Sequence, residues 1–162
     1  MKVLVTGTSS GIGRAIACKF ISEGHNVIGM DIKDSTISNE LYTHVKKDIC
    51  SKDLPQILDV DILINNAGVQ NTQDDIDVNL KGTINITEKY GIQPNIRSIV
   101  FIASASASTG AEFPEYAASK GGMITYMKNV ALRVAKYNAT SNSISAGGVI
   151  TPLNEHIIND PK

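Results

Sequence analysis

Tryptophan is absent from this 162-residue sequence, cysteine occurs twice, and aromatic residues make up only 5% of the chain. Cys18 and Cys50 lack the spacing of a metal site, so we expect no bound metal and two reduced thiols in a cytoplasmic protein. No apolar run is long enough to span a bilayer, and the first residues lack the anatomy of a signal peptide. The sequence therefore predicts neither a membrane segment nor a secretory leader.

An excess of charge of one sign is also lacking, because 15 basic and 16 acidic residues give a formal net charge of -1. This balance provides no electrostatic attraction for nucleic acid or an anionic membrane, and we expect neither as a partner. Hydrophobic residues at 42% and charged residues at 19% are typical of a soluble globular chain. The length predicts a single domain over residues 1–162.

Short β-rich runs alternate with helical patterns along the chain, which predicts an α/β fold. Because crossover connections join parallel strands with a right-handed path, we expect a doubly wound parallel sheet of about six strands. The expected strand order is 3-2-1-4-5-6, with helices on both faces. Strands are predicted at residues 3–5, 26–31, 42–47, 61–64, 98–103 and 142–146. Helices are predicted at residues 12–23, 53–58, around 78–84 and at 116–137.

Three glycines follow the first predicted strand, in the segment TGTSSGIG from Thr6 to Gly13. Glycine permits a tight turn and close approach of the backbone to a ligand, and the helix N-terminus that follows attracts anions. The segment therefore predicts a pyrophosphate site, although such a pattern alone is as often a simple tight turn.

Asp31 ends the second predicted strand, near where dinucleotide-binding folds place the carboxylate that binds the ribose hydroxyls. A carboxylate at this point would repel the extra phosphate of NADP, so we expect NAD as the cofactor and NADP to bind less well. Lys33 follows closely and would weaken this discrimination. The alternative is an ordinary loop aspartate, which the position at a strand end disfavours.

Tyr116 and Lys120 are four residues apart on a predicted helix and therefore share one face. An ammonium group beside a phenol favours the phenolate and lowers its pKa, which suits proton exchange between an alcohol and a ketone. The pair alone is more often a solvated tyrosine and lysine. Ser104, Ser106 and Ser108 follow the fifth strand, at the sheet edge where α/β proteins bind ligands, and any of their hydroxyls could contact a carbonyl.

Four motifs occur in the order that short-chain dehydrogenases/reductases have them. They are TGxxxGxG at Thr6–Gly13, NNAG at Asn65–Gly68, a helical asparagine at Asn79, and YxxxK at Tyr116–Lys120. The sequence resembles this family over residues 1 to about 152. The resemblance implies a Rossmann-like fold and an oxidoreductase that interconverts an alcohol and a ketone, similar to the 3-oxoacyl-carrier-protein reductases.

The resemblance also implies roles for individual residues. Tyr116 is expected to be the general acid/base and Lys120 to tune its pKa and bind the nicotinamide ribose. Ser104 is expected to polarise the substrate carbonyl, with Ser106 as the alternative, and Asn79 to hold a water of the proton relay. The expected cofactor-binding residues are Gly7, Ser10, Gly11, Ile12, Gly13, Asp31, Asp48, Ile49, Asn66, Ala67, Gly68, Tyr116, Lys120, Val149 and Thr151.

Three departures from the family pattern support an alternative hypothesis, in which the chain is not an active enzyme. The segment between Gly68 and Asn79 is short, Ala146 replaces a common proline, and the sequence stops at Lys162, before the expected substrate lid and last strand. A truncated member would be a catalytically impaired dinucleotide-binding or interaction domain. An intact relay instead predicts an enzyme, with a small alcohol or ketone as substrate and a homodimer or homotetramer as the assembly.

Overall fold

A six-stranded parallel sheet forms the centre of the computed structural model, which describes residues 1–152. The strand order is β3-β2-β1-β4-β5-β6, and every neighbouring pair is parallel, which confirms the predicted topology. The strands are β1 Lys2–Thr6, β2 Asn26–Asp31, β3 Tyr42–Lys46, β4 Ile62–Asn65, β5 Ser98–Ser104 and β6 Thr140–Ala146. Residues 153–162, which the predicted domain also includes, lie outside the described residues.

Four helices accompany the sheet in the described part of the chain. Helix α1 spans Gly11–Ser22, α3 is the single turn Ser106–Thr109, and α4 spans Pro114–Val134 before a 3-10 turn at Ala135–Tyr137. Helix α2 has α geometry at Thr83–Ile86 and wider π turns at Asp77–Gly82 and Thr87–Gly91. No helix among residues 1–152 is long and apolar enough to cross a membrane.

The two faces of the sheet bury different side chains, because successive residues of a strand point to opposite sides. In β1, Val3 and Val5 pack with α1, whereas Leu4 faces the core that α2 and α4 cover. Both faces are apolar, as expected for a parallel sheet covered by helices. The core on the α2 and α4 side is the larger, with Tyr90, Phe101, Met123, Val130 and Val134 among its buried residues.

The predicted helix at residues 53–58 is wrong, since this segment has no helical structure. Pro55 has no N–H to donate within a helix. Leu54 is buried in the core, and the buried Tyr90 hydroxyl donates to the Pro55 carbonyl over 2.6 Å. Contacts with α2 therefore fix an irregular path that local sequence does not reveal.

Strand β6 is longer than predicted, although its sequence is polar. Its seven residues pair with β5 along their whole length, and Ser141 donates from its hydroxyl to the Met127 carbonyl of α4. Ile144, on the other face, remains 55% exposed. Pairing with the apolar β5 therefore stabilises a strand whose own β propensity is weak.

The hydrogen bond from Tyr90 to Pro55 should contribute measurably to the free energy of unfolding. Tyr90→Phe leaves the Pro55 carbonyl without its buried donor, so we expect the free energy of unfolding to fall by about 1–2 kcal/mol. Tyr126→Phe is the matched control, because its hydroxyl donates to the exposed Glu88, where water can replace it. Urea denaturation of both variants measures the difference. Equal losses would show that the Pro55 contact does not hold this segment.

Candidate active site

The turn between β1 and α1 requires glycine at two of its positions. A Cβ atom at Gly13 would lie 2.1 Å from the Gly7 carbonyl oxygen, and Gly7 itself has a left-handed φ of 75°. Gly11 also has a positive φ, of 54°, and an added Cβ there would touch only the Thr151 side chain, at 3.4 Å. Sterics therefore bring α1 tightly onto the end of β1 and leave the backbone at Gly11 open to a ligand.

The start of α1 presents backbone donors at this turn. Ser10 precedes the helix, and its side chain makes no capping hydrogen bond. The first N–H groups of any α-helix have no partner within the helix, and here they belong to the residues from Gly11 onward. Ile12 points to the other side, where it packs against the β1 face that α1 covers. The predicted anion site thus has free donors and no side chain that obstructs them.

The ends of β1 and β4 are joined by hydrogen bonds directly beside the glycine turn. Thr6 Oγ1 accepts from the backbone N–H groups of Asn66 and Ala67, each at 3.0 Å. The Asn66 amide donates to the Thr6 carbonyl at 2.9 Å and to the Gly7 carbonyl at 3.2 Å. These strands flank the point where the strand order reverses, which is where open α/β sheets bind ligands.

The Asp31 carboxylate organises the loops next to this point. It accepts from the backbone N–H of Ser9 and from that of Lys33, each over 2.9 Å. Both contacts hold a carboxylate at the carboxyl end of β2, as the sequence predicted. The carboxylate is only partly buried, so it retains acceptor capacity toward a ligand.

Asp48 and Ile49 do not have equal access to this region. Ile49 is 5% exposed and belongs to the core, where its side chain packs against Gly82 of α2. The Asp48 carboxylate accepts from the backbone N–H of Cys50 over 2.8 Å. The Ile49 side chain therefore packs in the core, and the contact of Asp48 and Ile49 with a cofactor stays a prediction.

Asn79, Ser119 and Tyr116 form one connected hydrogen-bond path. Asn79 is fully buried; its amide oxygen accepts from the Val69 N–H at 2.8 Å, and its amide nitrogen donates to the Val69 carbonyl at 2.9 Å. The same nitrogen donates to Ser119 Oγ at 3.1 Å, and Ser119 donates to the Tyr116 carbonyl at 2.7 Å. Asn79 thereby ties the loop after β4 to α4.

Lys120 is buried beside this path. Its ammonium group is 5.6 Å from the centre of the Tyr116 ring and donates to the Ile102 carbonyl at 3.0 Å. A Cβ at Gly68 would lie 2.8 Å from the Asn79 amide oxygen and 3.4 Å from Lys120 Nζ. Glycine at position 68 therefore lets the NNAG loop lie directly against both side chains.

The protonation of Tyr116 differs from the sequence-based expectation. Burial raises the pKa of the Tyr116 phenol, the Ser104 hydroxyl opposes that rise, and the charges of Glu112 and Asp75 add to it. Burial lowers the pKa of Lys120 to about 8, and Asp75 acts in the opposite direction. The sequence predicted a Tyr116 pKa lowered by Lys120; in this structure the direction is upward, burial is the largest cause, and Lys120 is not among the groups that shift it.

The two buried serines after β5 have different partners. Ser104 ends β5, and its hydroxyl lowers the pKa of the Tyr116 phenol by hydrogen bonding. Ser106 begins α3 and donates to the Glu112 carboxylate over 3.0 Å. Of the two serines between which the sequence could not choose, Ser104 is the one beside the phenol. Ser108 lies within α3.

Val149 and Thr151 lie on the other side of the glycine turn. With Ile150 and Pro152 they line one wall of a groove of about 590 Å³, and α1 from Gly11 to Glu23 lines the opposite wall. The groove meets the glycine turn at Thr151, whose side chain lies next to Gly11. The groove then runs along α1 and includes none of Ser104, Tyr116 and Lys120.

Two acidic residues near the phenol were missed by sequence reasoning. Asp75 is 1% exposed and accepts from the backbone N–H groups of Asn71 and Thr72. Glu112 has a left-handed φ of 72°, and its carboxylate accepts a hydrogen bond from Ser106. Asp75 could have been suspected from the TxxD spacing that caps a helix, whereas no sequence signal identifies Glu112. No cluster of three or more metal-ligand residues occurs among the described residues.

The family model described as short chain dehydrogenase matches this chain in two overlapping segments, residues 1–52 and 28–162. A 3-oxoacyl-[acyl-carrier-protein] reductase of Thermotoga maritima is 31% identical over 187 residues, which cover 95% of this chain and 76% of the relative. The oxidoreductase UcpA of Salmonella typhimurium is 32% identical, with 95% of this chain and 71% of that protein covered.

Solved structures show the same likeness. A 4-hydroxyisoleucine dehydrogenase mutant in complex with NADH and succinate superposes with a TM-score of 0.86 at 27% identity, covering 99% of this chain and 78% of that one. The aldohexose dehydrogenase of Thermoplasma acidophilum gives a TM-score of 0.85 at 29% identity, covering 99% and 73%. Together with the family match over the whole sequence, these findings show that the chain belongs to the short-chain dehydrogenase family of oxidoreductases.

Proposed function

We propose that this chain is an NAD-dependent oxidoreductase that interconverts an alcohol and a ketone. The observation that carries the proposal is the convergence of Ser104, Tyr116, Lys120 and Asn79 at the carboxyl ends of β4 and β5, beside the glycine turn. A domain that only bound a dinucleotide would not need a buried lysine next to a serine and a tyrosine, so the binding-domain alternative is the weaker one.

The glycine turn fits a nicotinamide dinucleotide. The backbone at Gly11 is open, the first N–H groups of α1 are free of intrahelical partners, and the Asp31 carboxylate stands at the end of the neighbouring strand. Two structural relatives are described with bound NADH. Such a cofactor would supply the hydride acceptor or donor, while the residues of this chain handle the proton.

Three of the four residues have roles that follow from their contacts. The Tyr116 phenol, whose pKa burial raises, is protonated at neutral pH and can give its proton to the oxygen of a ketone as it is reduced. Ser104 holds the phenol from one side. The Asn79 side-chain amide has both N–H groups engaged, so it fixes the position of α4 and has no N–H left for a relay water.

The assembly we propose is a homodimer or homotetramer. Leu132 on α4 is 80% exposed, and Arg133 beside it forms an ion pair of 2.6 Å with Glu88 of α2. This surface combines an exposed apolar side chain with ordered charged groups, as protein interfaces commonly do.

Tyr116→Phe tests the proton step. Removal of the hydroxyl with retention of the ring should lower turnover by at least about 100-fold, because no other phenol can take its place. NADH binding, measured by its fluorescence, should change little. Tyr126→Phe, on the same helix, is the matched control and should keep its turnover. Near-normal reduction of the ketones in a broad panel by Tyr116→Phe would remove the proposed acid/base.

Cofactor choice is tested at Asp31. The native chain should bind NADH at least about tenfold more tightly than NADPH, since a hydrogen bond to a charged group is worth roughly 1.5–3 kcal/mol. Asp31→Ala should narrow this ratio, and the ratio is the quantity to follow because Asp31 also holds the Ser9 loop. Asp34→Ala is the control, as Asp34 is exposed and pairs with Lys46. Titrations that show equal affinities in the native chain would contradict the NAD assignment.

Lys120→Met tests whether the buried ammonium is retained for function at a cost in stability. The native pKa of about 8 lies below the unfolded value of ~10.4, so native stability is reduced below pH 8 and rises as pH increases between these two values. The variant lacks this penalty and should be more stable than the native chain at pH 7, with the gap narrowing toward pH 10, while turnover is lost. Chemical denaturation at both pH values measures the gap. A constant gap would show that Lys120 carries no depressed pKa.

A further inference from the structure

Glu112 is a carboxylate close to the reacting hydroxyls that no part of the proposed proton path uses. It lies between α3 and α4, is exposed, and accepts from Ser106 Oγ at 3.0 Å and from the Gln70 amide at 3.4 Å. Both bonds reach one oxygen, Oε2. No hydrogen bond among residues 1–152 reaches the other oxygen, Oε1, which is therefore available to a ligand.

The backbone holds this carboxylate in an unfavourable conformation. Glu112 has a φ of 72°, and Gly110 two residues earlier has a φ of 68°. Residues with a side chain rarely adopt a left-handed conformation, and such strain concentrates at ligand-binding positions. In this conformation the Glu112 carboxylate contacts Ser106 and Gln70.

The direction of the hydrogen bonds around Glu112 is fixed by chemistry. An ionised carboxylate can only accept, so Ser106 must donate its single hydroxyl hydrogen to Glu112. Ser106 Oγ then accepts from Ser104 Oγ, 3.1 Å away, while the Ser106 N–H donates to Ser104 Oγ at 3.2 Å. The hydrogen of Ser104 therefore points along the chain toward Glu112, and Glu112 sits two hydrogen bonds from the serine beside the phenol.

The charges around the phenol favour a donor on the substrate and disfavour an anion. Glu112 and the buried Asp75 both act on the phenol, and both charges are negative. The nearby cation, Lys120, is 5% exposed and donates to the Ile102 carbonyl. A substrate carboxylate or phosphate next to the reacting carbon would meet net repulsion, whereas a hydroxyl or ammonium group would meet an unused acceptor.

We propose that Glu112 is a specificity-determining residue whose Oε1 accepts a hydrogen bond from a hydroxyl or ammonium group roughly one or two carbons from the reacting carbon. This inference rests on the proposed alcohol oxidation. The substrate class is then polyhydroxylated or amino-bearing secondary alcohols and the corresponding ketones. Substrates with an anionic group at that position are selected against.

Four alcohols test this assignment with NAD as the acceptor. Cyclohexanol has no second donor, cis-cyclohexane-1,2-diol and trans-2-aminocyclohexanol each have one, and 3-hydroxybutanoate carries an anion. The native chain should show KM values for the diol and the amino alcohol at least about tenfold below that for cyclohexanol. Glu112→Gln should raise these two KM values about tenfold, more for the ammonium, and should change the KM for cyclohexanol by less than about twofold.

The matched control is Glu115→Gln, an exposed glutamate in the first turn of α4. It removes the same charge three residues away and should leave the native substrate order intact. Glu112→Gln should also improve the KM for 3-hydroxybutanoate, because the repelling charge is gone. A role limited to local structure would instead lower kcat for all four alcohols alike, and that result would overturn the proposal.

A binding measurement separates this proposal from the proposed reaction. Ligand-observed NMR titration of trans-2-aminocyclohexanol and cyclohexanol, with NADH present, reports affinity without turnover. We expect the native chain to bind the amino alcohol more tightly than cyclohexanol, and Glu112→Gln to weaken binding of the amino alcohol about tenfold. This result would support the role of Glu112 even if no alcohol is oxidised and the proposed reaction fails. If the native chain and Glu112→Gln prefer the amino alcohol over cyclohexanol to the same extent, the role of Glu112 is overturned. Turnover of alcohols by both chains would then still support the proposed reaction.

Discussion

Lys120 places an ammonium group in the interior of the protein, 5% exposed, with the Ile102 carbonyl as its hydrogen-bond acceptor among residues 1–152. Burial of a cation costs free energy unless polar groups surround it, and here burial lowers the pKa of Lys120 to about 8. The elements around it make room for this position. Gly68 allows the loop after β4 to lie against the ammonium, and Asn79 fixes that loop to α4.

The parts of this fold that depend on local pattern could be predicted from the sequence. Alternating β-rich and helical segments predict the parallel sheet and its order, because right-handed crossovers leave few alternatives. The glycine turn, Asp31, Tyr116 and Lys120 were placed correctly for the same reason, since each occurs at the end of an element or on one helix face. The segment around Pro55 was not, because its path is set by Tyr90, which lies 35 residues further along the chain.

The directions of side chains in the site depend on distances that no sequence pattern encodes. Spacing places Tyr116 and Lys120 on one face of α4, but the direction of the lysine side chain is decided by the Ile102 carbonyl at the end of β5. Ile49 was expected near a ligand because it follows a strand end. The glycine at position 82 of α2 makes room for its side chain in the core instead. In both cases a contact with a residue on another element determines the direction of the side chain, and the local sequence does not reveal that contact.

The hydroxyl groups of the site have a direction as well as a position, and that direction follows from which groups can donate. Glu112 can only accept, so the hydrogens of Ser106 and Ser104 are both ordered toward it. For Ser104 to donate to a ketone, it must release Ser106, and this change is easier once a substrate donor shares the charge of Glu112. Recognition at Glu112 and polarisation at Ser104 are therefore coupled through a single hydroxyl, that of Ser106. Under the proposed role of Glu112, this coupling would give a substrate with a second donor an advantage in binding and in the orientation of the serine beside the phenol.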